Sequence, residues 1–582
     1  MSIHTSRRGI PFNLFSNCLA IHNVRSDPKN RGLAESIRVA LEEKKFQLIK
    51  EFTIFLCEAK LKDDEVLSIL KDAKGVVQHL TPVFFQTVKA LLSLNWKKRS
   101  SEIIEAYIEF YMDLLMTHNQ YFPIGVSKLI EHWIPDKSDE FDCVKGCPSE
   151  SSRIKLQPVH DVLNRILNAA PMTFEFVFKT ITDKFPYYKK PAYVTAGYVF
   201  NVLWLIEYKP IFEEPMLQLV LKRFLLLDVN APREEIGEET DDEDDSEDAD
   251  TVFEMDDVSS YTKTEKTVKH PVGKTLDICL FMLYRFIDEK CRIHQNSTGE
   301  QRSTAKRIFN ILLHIFDDTL LPSYDSHHVQ FVLFYVTSIR AAYAKAFLDL
   351  LWQKVQNRQI SKIIRHAAVG YMTSFLSRAR FLRLSLVQGY LEKLSIWALT
   401  YIDDTSKNIL TWSFGAHLVF YSVCETIFYL IASRARYLTD SSTDFHFLES
   451  LQLSRIAGCH LNPLRYCLAS VATAFANVSR TYQLAYYYTV LHSSPRRKLP
   501  IVSVRGKRKT EEKLETIFPF NHYVLKLSMK YIEENFIVHQ CKGTDNCVCG
   551  STNKSLSIAP DDEEDDFIIS DMLKHLELST SQ

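Results

Sequence analysis

Between Arg307 and Leu399 three long apolar patterns follow one another with little except polar turns between them, and such a stretch commits the chain to buried helices. Ile308, Leu312, Ile315 and Phe316 recur at helical spacing until Leu321-Pro322, where proline removes an amide donor and stops the pattern. From Val329 to Val355 nearly every position is apolar or aromatic, which predicts one helix buried on most sides. Arg340, Lys345 and Asp349 interrupt that run, so it never approaches the roughly 18 uncharged residues of a membrane span, and no membrane partner is expected. Ile360, Ile364, Ala367, Tyr371 and Phe375 form a narrower stripe, predicting a helix with one covered and one free face. It ends basic, at Arg378-Ala379-Arg380-Phe381-Leu382-Arg383.

Composition supports helices throughout. With 16 Gly and 20 Pro in 582 residues, turns are scarce and strand-dense blocks are absent. Hydrophobic residues at 46% are ample for a folded core. The net charge of −2 conceals segregation: Glu234 to Asp257 holds 15 acidic residues and no Lys or Arg, and Asp561 to Asp566 holds six more. Without these the body has 70 basic against 51 acidic residues, about +19, which suits acidic partners such as nucleic acid or a transcription assembly. Twelve cysteines, most inside apolar helical patterns, read as buried thiols in a reducing compartment. Asn13, Ser16 and Asn17 break the apolar segment from Ile10 to Ile21, so it is not a signal-peptide core, and a cytosolic or nuclear protein is expected.

Along the chain a first helix is predicted over Ala34 to Lys60, with Ile37, Leu41, Leu48, Phe52 and Phe55 inward. Thr81-Pro82 and Ser100-Ser101-Glu102 are start signals for the helices from Val83 to Leu94 and Ile103 to Met116. Phe122 to Trp133 follows, and Pro135 to Lys155 reads as a loop. Further helices are predicted at Pro158 to Asn168, Phe174 to Phe185, Tyr193 to Tyr208, Pro215 to Leu227, His270 to Cys291, Ala416 to Arg436, Leu448 to Leu461, Pro463 to His492 and Tyr523 to Phe536. Paired helices of about 15 to 20 residues recurring every 40 or so are the spacing of a HEAT-repeat-like helical solenoid, an all-α fold. The expected divisions are a flexible N-terminus (1–33), N-terminal repeats (34–228), an acidic disordered insertion (229–269), C-terminal repeats (270–536) with a basic loop at 493–512, and an acidic disordered tail (537–582).

Sites of chemistry are few. His270-Pro271-Val272-Gly273-Lys274-Thr275 ends like a phosphate-binding loop, but Val268 stands where the pattern demands glycine, so the segment reads as a helix entry. His539, Cys541, Cys547 and Cys549 are candidate zinc ligands whose last two cysteines are too closely spaced for a usual knuckle, and Cys143 with Cys147 is a weaker pair. No cofactor, resident metal or enzymatic activity is expected, since no catalytic motif occurs. Arg365, Arg378, Arg380 and Arg383 serve either a helix terminus, where cations oppose the macrodipole, or an external contact. Arg496, Arg497, Lys498, Arg505, Lys507, Arg508 and Lys509 form a basic loop suited to nuclear import or phosphate contact, or simply solvated.

Six short segments resemble, in order, the RNA polymerase I-specific transcription initiation factor family known in mammals as TIF-IA. They are Leu227-Asp228-Val229-Asn230-Ala231-Pro232-Arg233, His270-Pro271-Val272, the run from Leu321 to Phe331, Ile363-Ile364-Arg365-His366-Ala367-Ala368 with its basic ending, Leu461-Asn462-Pro463-Leu464, and Phe518-Pro519-Phe520. The similarity spans roughly Ala34 to Phe536. The resemblance implies a non-enzymatic HEAT-repeat factor that bridges polymerase I, near its stalk, to the TBP-containing core promoter factor in the nucleus and nucleolus, under control by phosphorylation. It implies that the segment around Arg378, Arg380 and Arg383 meets core factor and promoter DNA. Ser377 and Arg380 stand where the family more often has alanine and lysine, which keeps the charge and leaves the hydroxyl unexplained. Ser100 and Ser101, beside Trp96-Lys97-Lys98-Arg99, are the counterpart of the family's regulatory serine surface, and helix capping accounts equally well for one of them. An inactive homodimer and a weak direct DNA contact are further expectations. The alternative is a helical-repeat adaptor in nuclear transport or scaffolding.

Overall fold

The computed structural model describes residues 32–137, 143–144, 147–232, 236, 270–292, 297–323, 326–406, 414–438, 442–482, 514–515 and 517–537. Most of the expected N-terminal segment, acidic insertion, basic loop and tail, with His539 to Cys549, lies outside these residues. The described chain is all-α, as expected, apart from a hairpin of two two-residue strands and one isolated bridge, and it forms two compact units.

The first unit comprises the chain up to His132 together with Arg153–Ile181. Its helices are α1 (Leu33–Glu42), α2 (Gln47–Glu58), α3 (Asp63–Gly75), α4 (Phe85–Leu92), α5 (Ser101–Thr117) and α6 (Phe122–Glu131), joined by most of α7 (Glu150–Ala169) and α8 (Phe174–Lys184). The single helix expected over Ala34 to Lys60 is two, α1 and α2, because the charged run from Glu42 to Lys45 has no apolar face to bury and Lys44 adopts a left-handed φ of 55°. Ile49 and Leu56 consequently face inward and Leu41 is exposed. α1 packs on α2 and α3, α2 on α4, and α3 on α5. Helix α5 shows why: Ile103, Tyr107, Phe110, Tyr111 and Leu114 make one buried stripe at helical spacing.

The second unit comprises Trp133–Ser152 and the chain from Thr182. Where a loop was expected, β1 (Cys143–Val144) pairs antiparallel with β2 (Cys147–Pro148). The helices that follow are α9 (Ala192–Tyr208), α10 (Glu213–Val229), α11 (Pro271–Cys291), α12 (Gly299–Ile315), α13 (Phe331–Ser338), α14 (Ala341–Gln356), α15 (Lys362–Arg378) and α16 (Leu384–Ser406). Then come α17 (Leu418–Ser433) and the short α18 (Ala435–Leu438), α19 (Ser442–Ser450), α20 (Leu453–Ala457) and α21 (Pro463–Tyr466), before α22 (Ala469–Thr481). α9 and α10, before the acidic stretch, both pack on α11 after it, and α14, α15, α17 and α22 stack in succession.

Two expectations fail here for identifiable reasons. The run from Val329 to Val355 is two helices, α13 and α14. The Thr337 hydroxyl bonds the Leu333 and Phe334 carbonyls and Ser338 bonds that of Tyr335, while Arg340 takes an extended conformation that starts α14. The free face expected on α15 is also absent: from Arg365 to Arg378 every residue except Ala367 is buried.

The cover over α15 is the largest departure from sequence expectation. Residues 514–515 and 517–537, the latter expected to carry a helix from Tyr523 to Phe536, instead form a non-helical strap with two single turns, Met529–Tyr531 and Glu533–Asn535. Phe520 sits 5.4 Å from Phe331, 5.3 Å from Phe334, 5.6 Å from Tyr371 and 5.9 Å from Phe375, ring centroid to centroid. Close approach demands glycine on α15, since a Cβ on Gly370 would lie 2.6 Å from the Ile517 carbonyl oxygen.

Candidate interaction surfaces

Three of the family-resembling segments, those that hold Asp228, His327 to Gln330 and Pro519, meet inside the second unit in a buried polar knot tied by two carboxylates. At the end of α10, Asp228 is fully buried, and its Oδ2 accepts the His327, His328 and Val329 amides at 2.8, 2.8 and 3.1 Å. Its Oδ1 accepts the His328 Nδ1–H at 2.8 Å. Burial works against this charge, yet His328 and the amides hold the Asp228 carboxyl below its ordinary range. On α11, Asp277 accepts the Leu527 and Ser528 amides, each at 2.8 Å, and the Ser528 hydroxyl at 2.5 Å. Those amides therefore go to a carboxylate instead of to carbonyls one turn back, which is why no helix forms there. Burial outweighs these hydrogen bonds, and the Asp277 carboxyl is pushed above its ordinary range. Gln330 completes the knot by donating Nε2–H to the Pro519 carbonyl at 2.7 Å.

An aspartate bonded to a histidine near a serine invites comparison with a hydrolytic triad. The geometry is otherwise. His328 is fully buried, and the Ser528 hydroxyl is committed to Asp277 and to Tyr523 at 2.7 Å, so the groups act as staples. A cavity of about 20 Å³ between α15, α17 and the strap, lined by His366, Thr373, Ser422 and Glu425 among others, falls far below the roughly 300 Å³ at which small-molecule pockets begin. Among the described residues no group of three or more His, Cys, Asp and Glu could hold a metal, and no helix is long and apolar enough to cross a membrane. His270 caps α11, its Nδ1 accepting from the Gly273 amide at 3.2 Å, so the phosphate-loop fragment is a helix entry as expected.

The four arginines part company. Arg365 is buried and donates Nε–H to the Val355 carbonyl at 2.8 Å. Arg378 is buried between the Phe518 and Phe536 rings, 5.3 and 5.5 Å from their centroids, and donates to the Ile537 carbonyl at 3.2 Å. Arg380 and Arg383 are exposed. The Ser377 hydroxyl, unexplained in the sequence, donates to the Ser374 carbonyl inside α15. Sequence reasoning missed Asp277. Its signal was present, since a lone carboxylate inside Leu276-Asp277-Ile278-Cys279-Leu280 requires buried donors from elsewhere.

In the first unit Ser100 and Ser101 are exposed at the start of α5. Ser100 occupies the cap position, but its side chain makes no capping hydrogen bond. Arg99 beside it binds Asp63 at 2.5 Å and the Leu61 carbonyl at 3.0 Å. The basic residues from Arg496 to Lys509 lie outside the described residues.

Comparison with known proteins gives the family. The chain is 30% identical over 549 residues to the RNA polymerase I-specific transcription initiation factor RRN3 of Mus musculus, covering 88% of this chain and 81% of the relative. It is 24% identical over 477 residues to the corresponding factor rrn3 of Schizosaccharomyces pombe, covering 76% of this chain and 74% of the relative. The fold superimposes with a TM-score of 0.69 on the crystal structure of RNA polymerase I transcription initiation factor Rrn3, at 16% identity and over 87% of this chain and 97% of that one. Residues 26–542 match the family described as RNA polymerase I specific transcription initiation factor RRN3, and the chain belongs to that family.

Proposed function

We propose that this protein is an RNA polymerase I initiation factor that bridges the polymerase, near its stalk, to the TBP-containing core factor on ribosomal RNA gene promoters in the nucleolus. The observation that carries the reading is the family match along residues 26–542. It works by binding energy. The strap holds the end of α15 through Phe518, Phe536 and Ile537, and Arg380 and Arg383 project from it toward core factor and promoter DNA, where removing a cation weakens phosphate contact and lowers the salt dependence of binding. The basic cluster from Arg496 to Lys509 adds import or phosphate contact, and a homodimer stores the factor inactive. Phosphate on the exposed Ser100 or Ser101 brings like charge and a hydration shell to the polymerase-docking surface.

Affinity purification from nuclear extract tests the reading. Recovery of polymerase I subunits supports it; importins or unrelated partners alone point to the transport adaptor. Arg380→Gln with Arg383→Gln leaves the melting temperature within about a degree, because exposed charges contribute little to stability, yet abolishes recruitment of core factor. Aspartate at both Ser100 and Ser101 weakens polymerase capture while helicity is kept, and unchanged capture removes that pair from the switch.

A further inference from the structure

We propose that the acidic run Asp561–Asp566 of this chain's own tail docks on an arginine corner formed by Arg340, Arg380 and Arg383, and so shields that corner from other polyanions. The regulatory consequence rests on the contact role proposed for Arg380 and Arg383; the docking itself does not.

The corner is where the described chain ends. Phe536 bridges antiparallel to Ala379, the Arg380 amide donates to the Asn535 carbonyl at 2.9 Å, and the Ile537 amide donates to the Arg378 carbonyl at 2.8 Å. Asn535 also donates Nδ2–H to the Ser338 hydroxyl at 3.3 Å, which brings the turn before Arg340 to the same place. All three arginines are exposed. Arg340 lies over the Tyr343 ring at 5.9 Å, and none of the three has an ion-pair partner among the described residues.

Connection length favours the tail as occupant. Residues 538–560 separate Ile537 from the acidic run, and a chain of that length reaches at most about 80 Å from Ile537, so the acids are tethered to the element that ends at the corner. The other acidic run, Glu234–Asp257, is placed less well. It leaves from the end of α10 and returns at the start of α11, a helix of 21 residues and so about 30 Å long. Its far end faces the corner, for Asp288 there accepts the Tyr335 hydroxyl three residues before Ser338.

The test uses the full-length chain with the photo-crosslinker p-benzoylphenylalanine in place of Phe567. Intramolecular adducts within 338–343 and 376–386 are expected. They should be lost when the six acids at 561–566 are changed to amides, and lost again in the folded variant Arg340→Gln, Arg380→Gln, Arg383→Gln. Adducts elsewhere, adducts only between chains, or adducts that survive both sets of substitutions overturn the docking. In parallel, amidation of the tail should tighten binding of a short DNA duplex about tenfold at low salt, with the gain disappearing at high salt and in the triple variant. Correct adducts with unchanged DNA affinity leave docking standing and remove only the contact reading on which the shielding rests.

Discussion

Asp228 and Asp277 perform the same mechanical task with opposite electrostatics. Each is a buried carboxylate near or within a helix, and each fastens a segment far along the chain by accepting its amides. Asp228 is hydrogen-bonded to an imidazole and is held down; Asp277 is hydrogen-bonded to amides and a hydroxyl, and burial pushes it up. Neutral donors therefore suffice to fix a segment in place, whereas the direction in which a buried carboxyl shifts depends on the other groups that face it.

The sharpest way to break this comparison is to remove each carboxylate in turn. Asp228→Ala should cost about 3 to 5 kcal/mol by chemical denaturation, because it strands three amides and an imidazole together. Asp228→Asn should cost about 1 to 2 kcal/mol, since the amide oxygen still accepts and His328 can change tautomer. If the two cost the same, the carboxylate charge matters more than the hydrogen bonds.

The strap held by Asp277 can be attacked from the other side. Alanine for glycine within a helix normally gains about 1 kcal/mol, but Gly370→Ala should instead lose about 1 to 3 kcal/mol, because the new methyl meets the Ile517 carbonyl. A stabilised variant would mean that the strap yields easily and that its seat is not set by steric fit. Arg378→Gln should fall in the same range through lost ring and carbonyl contacts, in contrast to the exposed Arg380 and Arg383.

Acid titration gives the smallest effects and the cleanest signs. A carboxyl whose folded pKa is lowered contributes stability that is lost as pH falls below about 4, so Asp228→Asn should make acid unfolding less steep. The raised carboxyl of Asp277 does the reverse, its contribution being fullest when protonated and lost as pH rises, so Asp277→Asn should make acid unfolding steeper. Parallel profiles for the two variants would dissolve the distinction. His366, buried against Ser422 and the Glu515 carbonyl with Glu425 on the same cavity, has its pKa lowered by burial. Stability should therefore decline as pH falls below about 6.5, and His366→Asn should flatten that part of the curve.

Helix content and class were legible because long apolar stripes leave few other outcomes, as the stripe of α5 illustrates. Helix breaks were not, where short side chains satisfied the backbone locally. Thr337 and Ser338 look like ordinary helix residues until their hydroxyls are seen capturing carbonyls. The strap was misread for a related reason: residues 523–536 carry helical periodicity, and only the remote Asp277 diverts their amides. Among the candidate contacts, charge type was readable and accessibility was not. Arg378 and Arg380 are two positions apart, yet one lies between aromatic rings and the other in solvent.

The strap also imposes an order on synthesis. Ser528 is made 251 residues after the aspartate that receives it, so at about 5 to 20 residues per second α11 waits on the order of 10 to 50 s for its partner. During that interval Phe331, Phe334 and Phe375 lack the ring of Phe520 that later covers them. A nascent chain in this state presents a sticky aromatic trough, and chaperone occupancy should peak there and fall once the ribosome has passed residue 537.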